Sequence, residues 1–504
     1  MQLLTASIPI LILLIFLGIF KRPAYKVVPI AFVVSFLLAV LYFHRPAASM
    51  FLASAEGIIL ALFPIIWVIV AAVFTYNLSL KTGSMEIIKN QIASVSGDAR
   101  AQAILVAFGF GGFMESVAGF GTAVAIPASI LISLGFNPMT AAVVCLIANS
   151  VPVAFGGLGL PVITLSNITG IETSILAKYT AVQLSSMCVL VPVAIAAITA
   201  SSLRKASDIL PAALVSGLAY TMIQLVIAFT MGPELAAILG SIGATITLIL
   251  YLKFFPIKEE FRLNHSPIEQ KKYSISQTLT AWAPYIFLLA LIAVTRIPAV
   301  YAFLTAKPLA FFIDMKASIG AKPLKIDFLA TPGSLLFASA VAGSIMQRAK
   351  IADIMGVFAG TVKQLANSIL TIISIVAMAK IMGYSGMIMI CAQAVSGLTG
   401  SFYPLFAPAV GALGTFLTGS DASSNILFGQ LQESIATDIN ANSAWIASAN
   451  TTGATAGKMI SPQSLAIATS TTGMEGQEGA IFSKTIVYCL VYVIVLGLMV
   501  YAYV

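Results

Sequence analysis

Uncharged apolar runs separated by short polar turns fill nearly the whole chain. Residues 3–20 carry no charge, 27–43 form a second run, and 57–80 form a third that starts just after Glu56. Others lie at 179–203, 209–233, 235–252, 273–295, 328–347, 364–379 and 485–504. A helix of roughly 20 apolar residues crosses about 30 Å of hydrocarbon, so most of these runs read as membrane helices. Met1 to Ile10 lack a basic leader and no small-residue cleavage site precedes Lys21, which makes the first run a membrane helix and not a signal peptide. With two longer regions still to be divided, the pattern predicts an all-α polytopic membrane protein of about 12–14 crossings.

The basic residues give these spans a direction. Lys21, Arg22 and Lys26 follow the first span, Lys81, Lys89 and Arg100 the third, and Arg204 and Lys205 a later one. Positive charge marks the cytoplasmic ends, so both termini are expected outside and the number of crossings even. The loop from Arg296 to Asp327 should then be external although it carries Lys307, Lys316, Lys322 and Lys325.

Composition narrows the class. The 504 residues are 59% hydrophobic and 9% charged with a mean hydropathy of +1.02, too few charges to cover a water-soluble surface. The net charge of +8 is scattered between spans and forms no cluster able to grip a nucleic acid. Cys145, Cys188, Cys391 and Cys489 sit singly in apolar runs and read as packing residues, and with His44 and His265 the only histidines, no metal site is expected. No phosphate-binding loop or dinucleotide signature occurs, and Gly476 and Gly479 belong to a linker before the last span. Lys178, Lys363 and Lys380 read as interfacial, and Trp67, Trp282 and Trp445 as belt or packing residues.

Two regions depart from plain spans. Between Glu115 and Glu172 lie 56 uncharged residues, preceded by Gly109, Gly111 and Gly112 and interrupted by Gly119, Gly121, Pro127, Gly135, Pro138, Pro152, Gly156, Gly157, Gly159 and Pro161. Close helix packing uses such glycines, but polar neighbours favour discontinuous helices, whose bared backbone is tolerated only around an enclosed or wet cavity. The region 411–462 has the same character. A shift of 301 residues superposes Ala148, Asn149, Gly156 and Pro161 on Ala449, Asn450, Gly457 and Pro462, with Ser150 on Thr451 and Gly157 on Lys458. Paired interruptions in two halves mark the midplane site of a secondary transporter. The expected organisation is a transport repeat over 1–200, connecting spans over 201–301 with a polar loop at 253–272, and a second repeat over 302–504, the repeats being inverted. Gly111, Gly112, Gly119, Gly121, Gly156, Gly157, Gly419 and Gly457 are the expected breaks.

Chemistry follows from the polar residues in these regions. Glu115 and Asp421 are the candidate proton carriers, because a carboxyl group in apolar surroundings exchanges its charge for a proton readily; boundary capping is the plainer role. Lys458 could attract an anion, neutralise Asp421 or mark a span end. Ser116, Thr122, Asn149, Ser150, Ser420, Ser423, Ser424, Asn425, Asn450 and Thr451 offer short donors suited to a small hydroxycarboxylate, although polar residues in lipid also pair with one another. Glu433 and Asp438 read as surface or gate residues.

The stretches GFGGFMESVAGFGTAVAIPASILISLGFNP, ANSVPVAFGGLG, GALGTFLTGSDASSNILFG and ANTTGATAGKMISPQS together resemble the bacterial lactate permease family over essentially the whole chain. The resemblance implies a cytoplasmic-membrane importer of L-lactate, with D-lactate and glycolate as related substrates, driven by proton symport. It implies no cofactor beyond the coupling proton. The expected partners are the monocarboxylate and membrane lipid, with no nucleic acid, and a homo-oligomer is left open. Glu115, Asn149, Ser150, Asn425, Asn450 and Lys458 stand within the family-like stretches, whereas Asp421 replaces the small uncharged residue expected after the second Gly-Ser. An anion channel or uniporter without proton coupling remains the alternative, and a membrane enzyme a third.

Overall fold

In lipid a backbone must satisfy its own polar groups, and the apolar runs accordingly form helices. The computed structural model describes residues 2–13, 15–16, 20, 22–93, 96–119, 121–200, 206–257, 273–295, 297–306, 311–313, 324–474 and 477–504. The basic residues Lys21, Arg204, Lys205, Lys307, Lys316 and Lys322 lie outside the described residues. So does most of the 253–272 loop.

The first half contains α1 (Gln2–Leu13), α2 (Ala24–Leu41), α3 (Ala47–Leu60), α4 (Trp67–Lys81), α5 (Ser84–Ala93), α6 (Ala99–Ala103), α7 (Gly111–Val117), α8 (Thr122–Ser133), α9 (Pro138–Asn149), α10 (Gly156–Thr169) and α11 (Thr173–Ala200). The middle supplies α12 (Leu210–Thr230), α13 (Ala236–Phe254), α14 (Ile275–Thr295) and α15 (Pro298–Leu304). After a ribbon pairing β1 (Phe311–Ile313) with β2 (Leu324–Ile326) come α16 (Pro332–Met346), α17 (Ile351–Gln364), α18 (Ala366–Ser385) and α19 (Met387–Thr399). The chain ends with α20 (Tyr403–Thr418), α21 (Asp421–Asp438), α22 (Ser443–Lys458), α23 (Pro462–Thr472) and α24 (Glu478–Ala502).

Among the described residues nine helical stretches are long and apolar enough to span a membrane, and α9 with α10 makes a further pair bent by 57°. The shorter apolar helices α1, α8 and α16 account for part of the remaining expected crossings. Large apolar side chains such as Leu41, Met222 and Val491 face outward, as lipid contact requires.

The two apolar cores do not follow the two halves of the chain. One joins α6–α14 to α22–α24, and the other joins α1–α4 to α18–α22. Lipid supplies little hydrophobic drive between helices, so contact depends on small residues and hydrogen bonds. A Cβ on Gly57 would lie 2.5 Å from the Ala377 backbone, which sets α3 directly against α18. Beside this contact Lys380, half-buried, forms an ion pair with the buried Glu56 at 2.9 Å. The other Glu56 oxygen accepts from the Tyr384 hydroxyl at 2.8 Å. The three tryptophans likewise tie helices together: Trp67 donates to Ser334 at 2.8 Å, Trp282 to Gln91 at 3.0 Å and Trp445 to the Val500 carbonyl at 3.0 Å.

Two helical hairpins distinguish the fold. In the first, α6 continues through a π-helical segment, Ile104–Phe110, into α7, turns at Gly119 and Gly121, and returns as α8. Gly111 faces Pro127 across this hairpin, each eight residues from Gly119, as antiparallel arms require. In the second, α20 turns at Gly419 into α21. Each hairpin is followed by a broken helix, α9/α10 or α22/α23, and the packing is reciprocal: α10 lies on the second hairpin and α23 on the first.

Candidate functional site

Local chemistry sets the breaks. Gly121 and Gly419 hold φ values of +90° and +75°, left-handed conformations in which glycine has no Cβ to clash. Ser420 caps α21 by accepting from the Ser423 N–H, and Ser461 caps α23 from the Ser464 N–H with Pro462 at the first position. At the start of α10 Gly157, Leu158 and Gly159 form a left-handed turn at φ +51°, +60° and +76°. For Leu158 this conformation costs about 1–2 kcal/mol, and its fully buried side chain holds it there.

Three expected breaks are corrected. Gly111 and Gly112 lie inside the helical run, and Gly457 in the last turn of α22. They serve close packing: a Cβ on Gly112 would meet the Ser241 hydroxyl at 2.6 Å, and one on Gly457 the Ala412 carbonyl at 2.1 Å. Gly119, Gly121, Gly156, Gly157 and Gly419 stand at real interruptions.

The interruptions converge on a cavity of about 30 Å³ lined by Glu115, Gly119, Gly156, Gly157, Pro161, Ser420, Asp421 and Lys458. Glu115 presses against the first broken helix, since a Cβ on Gly156 would lie 3.1 Å from its Oε1. Among the described residues Glu115 Oε2, both Asp421 oxygens and both amide atoms of Asn149 are buried without hydrogen-bond partners. Asn149 stands beside the Glu115 carboxyl, and Lys458 lies within electrostatic reach of both acids. The Lys458 ammonium donates to the Gly419 carbonyl at 3.1 Å and forms no ion pair within 4 Å among the described residues. Buried polar groups almost always have partners, so a cluster with this much unused capacity is suited to water, a proton or a small polar guest.

Other candidates hold the frame. Asn425 donates to the Pro161 carbonyl at 3.0 Å, and its own oxygen accepts from Asn450 at 2.9 Å and Thr451 at 3.0 Å. Asn450 in turn accepts from Gln432 at 3.1 Å, which accepts from the Tyr403 hydroxyl at 2.6 Å. Ser424 donates to the Gly411 carbonyl at 2.8 Å. Ser116 and Ser150 bond back to Gly112 and Ile147 of their own helices, both at 2.7 Å. Thr122 begins α8, but its side chain lies outside the described residues. Asn149 and Asn450, equivalent in sequence, therefore differ: one amide is unpartnered and the other is tied. Replacing Asn425 with Ala removes three bonds worth about 0.6 kcal/mol each in a membrane protein. The expected result is a clearly lowered thermal midpoint in detergent, and an unchanged midpoint would show that the network does not hold the break.

Sequence reasoning missed Tyr492 on α24, which accepts from Thr455 at 3.0 Å and stands beside Ser150, touching the broken helices of both halves. Its hydroxyl is one of several in the last span, beside those of Thr485, Tyr488, Tyr501 and Tyr503, so no sequence signal singles it out. It also missed Gln463, whose side chain closes on Gly419. A larger cavity of about 370 Å³, including Arg22, Asn367, Gln463 and Ser423 in its wall, meets the small one at Ser420 and Lys458.

Hairpins and broken helices meeting around buried carboxyls, in a shell of apolar spans, define a polytopic membrane transporter. The fold agrees with that of the Alcanivorax borkumensis YdaH transporter, described as having an unusual topology, at a TM-score of 0.53 and 13% identity over 94% of this chain and 98% of that one. A family model described as L-lactate permease matches residues 2–504. The L-lactate permeases of Streptococcus iniae and Bacillus subtilis are 36% and 35% identical, covering 88% and 97% of this chain and 93% of each relative. The glycolate permease GlcA of Escherichia coli is 35% identical over 98% of this chain and 94% of its own length. The chain belongs to the L-lactate permease family, a family of multi-pass transporters of the bacterial inner membrane.

Proposed function

We propose that the chain imports L-lactate, with D-lactate and glycolate as related substrates, by proton symport through alternating access. Lactate and glycolate appear in the names of its relatives. The observation that carries the coupling is the pair of buried carboxyls, Glu115 with one oxygen unpartnered and Asp421 with both, sharing a cavity with Lys458.

Charge balance turns this triad into a coupling device. A buried site is costly unless its net charge is near zero. When empty, Lys458 offsets one carboxylate and the other acid carries a proton. When loaded, lactate supplies the negative charge, and the site stays neutral only if the second carboxylate also takes a proton. One proton thus enters with each lactate. Asn149 is the donor best placed for the substrate, and the N-terminus of α21 adds a partial positive charge.

The course of the chain supports inverted repeats. Lys81 pairs with Asp353 at 3.4 Å, Thr82 with Gln347 at 2.7 Å, and Lys253 shares a cavity with Asp98, which gathers basic helix ends on one face. Positive charge assigns that face to the cytoplasm. Arg45 bonded to the Ser385 carbonyl at 3.2 Å and Ser396 bonded to Asp438 mark the opposite face. On this reading the first hairpin enters from the cytoplasm and the second from outside, with about a dozen full crossings.

The test is uptake by the purified protein in proteoliposomes. With a pH gradient of two units and no membrane potential, one-proton symport should concentrate lactate about 100-fold. Mere equilibration would replace symport with the channel or uniporter reading.

A further inference from the structure

The 370 Å³ cavity is larger than a three-carbon acid needs and falls in the size range of sites for drug-sized ligands. Its wall brings together Arg22, from the turn before α2, and Lys458, from the end of α22. No acidic residue lines it among the described residues, so Arg22 gives it a positive charge that attracts anions, while the Lys458 charge is shared with the acids of the small cavity. Lys458 has three N–H donors and spends one on the Gly419 carbonyl. Asn367, Ser368, Ser423 and Gln463 add neutral polar groups. Tyr25, Ile372 and Leu417 form an apolar side against which a substituent could rest.

We propose that this vestibule is a second carboxylate site, distinct from the small cavity, that takes 2-hydroxycarboxylates bearing a bulky apolar group and blocks transport from the cytoplasmic face. The carboxylate lies between Arg22 and Lys458, and the substituent lies on the Tyr25 and Leu417 side. The 30 Å³ cavity beyond Ser420 must already widen to admit lactate, and a bulky substituent demands far more, so such a ligand binds without being carried. By filling the space beside Gly419 it prevents the tip of the second hairpin from moving. The cytoplasmic location rests on the proposed transport orientation; the binding itself does not.

Mandelate is the probe, with mandelamide as its uncharged counterpart. In detergent, mandelate is expected to raise the thermal midpoint of the purified protein and mandelamide to leave it unchanged. Arg22→Gln, at an exposed turn, should fold normally and weaken mandelate binding about fivefold to tenfold, the scale of one charge-assisted contact. In proteoliposomes of known orientation, mandelate on the cytoplasmic face should inhibit lactate counterflow and on the other face should not. Equal stabilisation by mandelamide, or Arg22→Gln binding mandelate as well as the parent, would overturn the site. Inhibition from the outer face alone would overturn its cytoplasmic placement. Absence of lactate counterflow in the parent protein, with mandelate binding intact, would instead count against the transport reading.

Discussion

A protein carrying both Glu115→Gln and Asp421→Asn is expected to lose proton-driven accumulation of lactate, its ratio across a two-unit pH gradient falling from about 100 to about 1. The cause is charge. Both acids line the cavity with Lys458, and neither replacement can take up a proton. The empty site would keep the Lys458 charge unbalanced, and lactate would neutralise it without a proton. Lactate counterflow, which needs binding and movement but no net driving force, should persist in this variant. The two single variants then separate the acids: the one whose loss alone abolishes accumulation holds the transported proton. A double variant that still concentrates lactate against its gradient would remove both acids from coupling.

Replacing Gly453 with Val is expected to have the largest effect on the fold itself. The second hairpin and the second broken helix touch backbone to backbone along α20 and α22. A Cβ on Gly453 would sit 1.9 Å from the Pro408 carbonyl oxygen, and one on Gly411 would sit 2.0 Å from that of Asn450. Neither neighbour is a side chain that can turn aside, so the helices must separate, at a cost of about 3 kcal/mol or more. Separation would also pull Asn450 from Asn425 and release the Pro161 carbonyl at the cavity. Gly453→Val should therefore be recovered in low yield, with a thermal midpoint far below that of the parent. Gly453→Ala, which adds the Cβ alone, should show a smaller drop that can be measured in folded protein. Gly360→Val on α17, where nothing lies within 4 Å, is the control and should be tolerated. A Gly453→Ala midpoint equal to that of the control would refute the close approach.

The same residue type was read correctly in one place and wrongly in another. Gly419 followed by Ser420, and Ser461 followed by Pro462, are complete local instructions: a left-handed stop, a capping hydroxyl and a ring that fits only a first turn. Such signals act within a few residues and are visible in one dimension. Gly111, Gly112 and Gly457 carry no capping neighbour. Their glycines answer to Pro127, Ser241 and Ala412, which come from other parts of the fold. The partner of Lys380 was hidden for a similar reason, because the carboxylate that holds it belongs to Glu56, far away in the chain.

By itself the sequence determined that this is a helical membrane protein with two interrupted regions. It also placed Glu115, Asp421 and Lys458 among the interruptions, since charge density, hydropathy and capping chemistry are properties of short stretches. Only the tertiary structure decided that the three groups share a cavity, that Asn149 is left unpartnered while Asn450 is tied to Gln432, and that each broken helix packs on the hairpin of the other half. Those outcomes depend on which distant carbonyls and hydroxyls reach a given side chain first. In a solvent that offers no hydrogen bonds, that competition is settled by helix packing and not by local sequence.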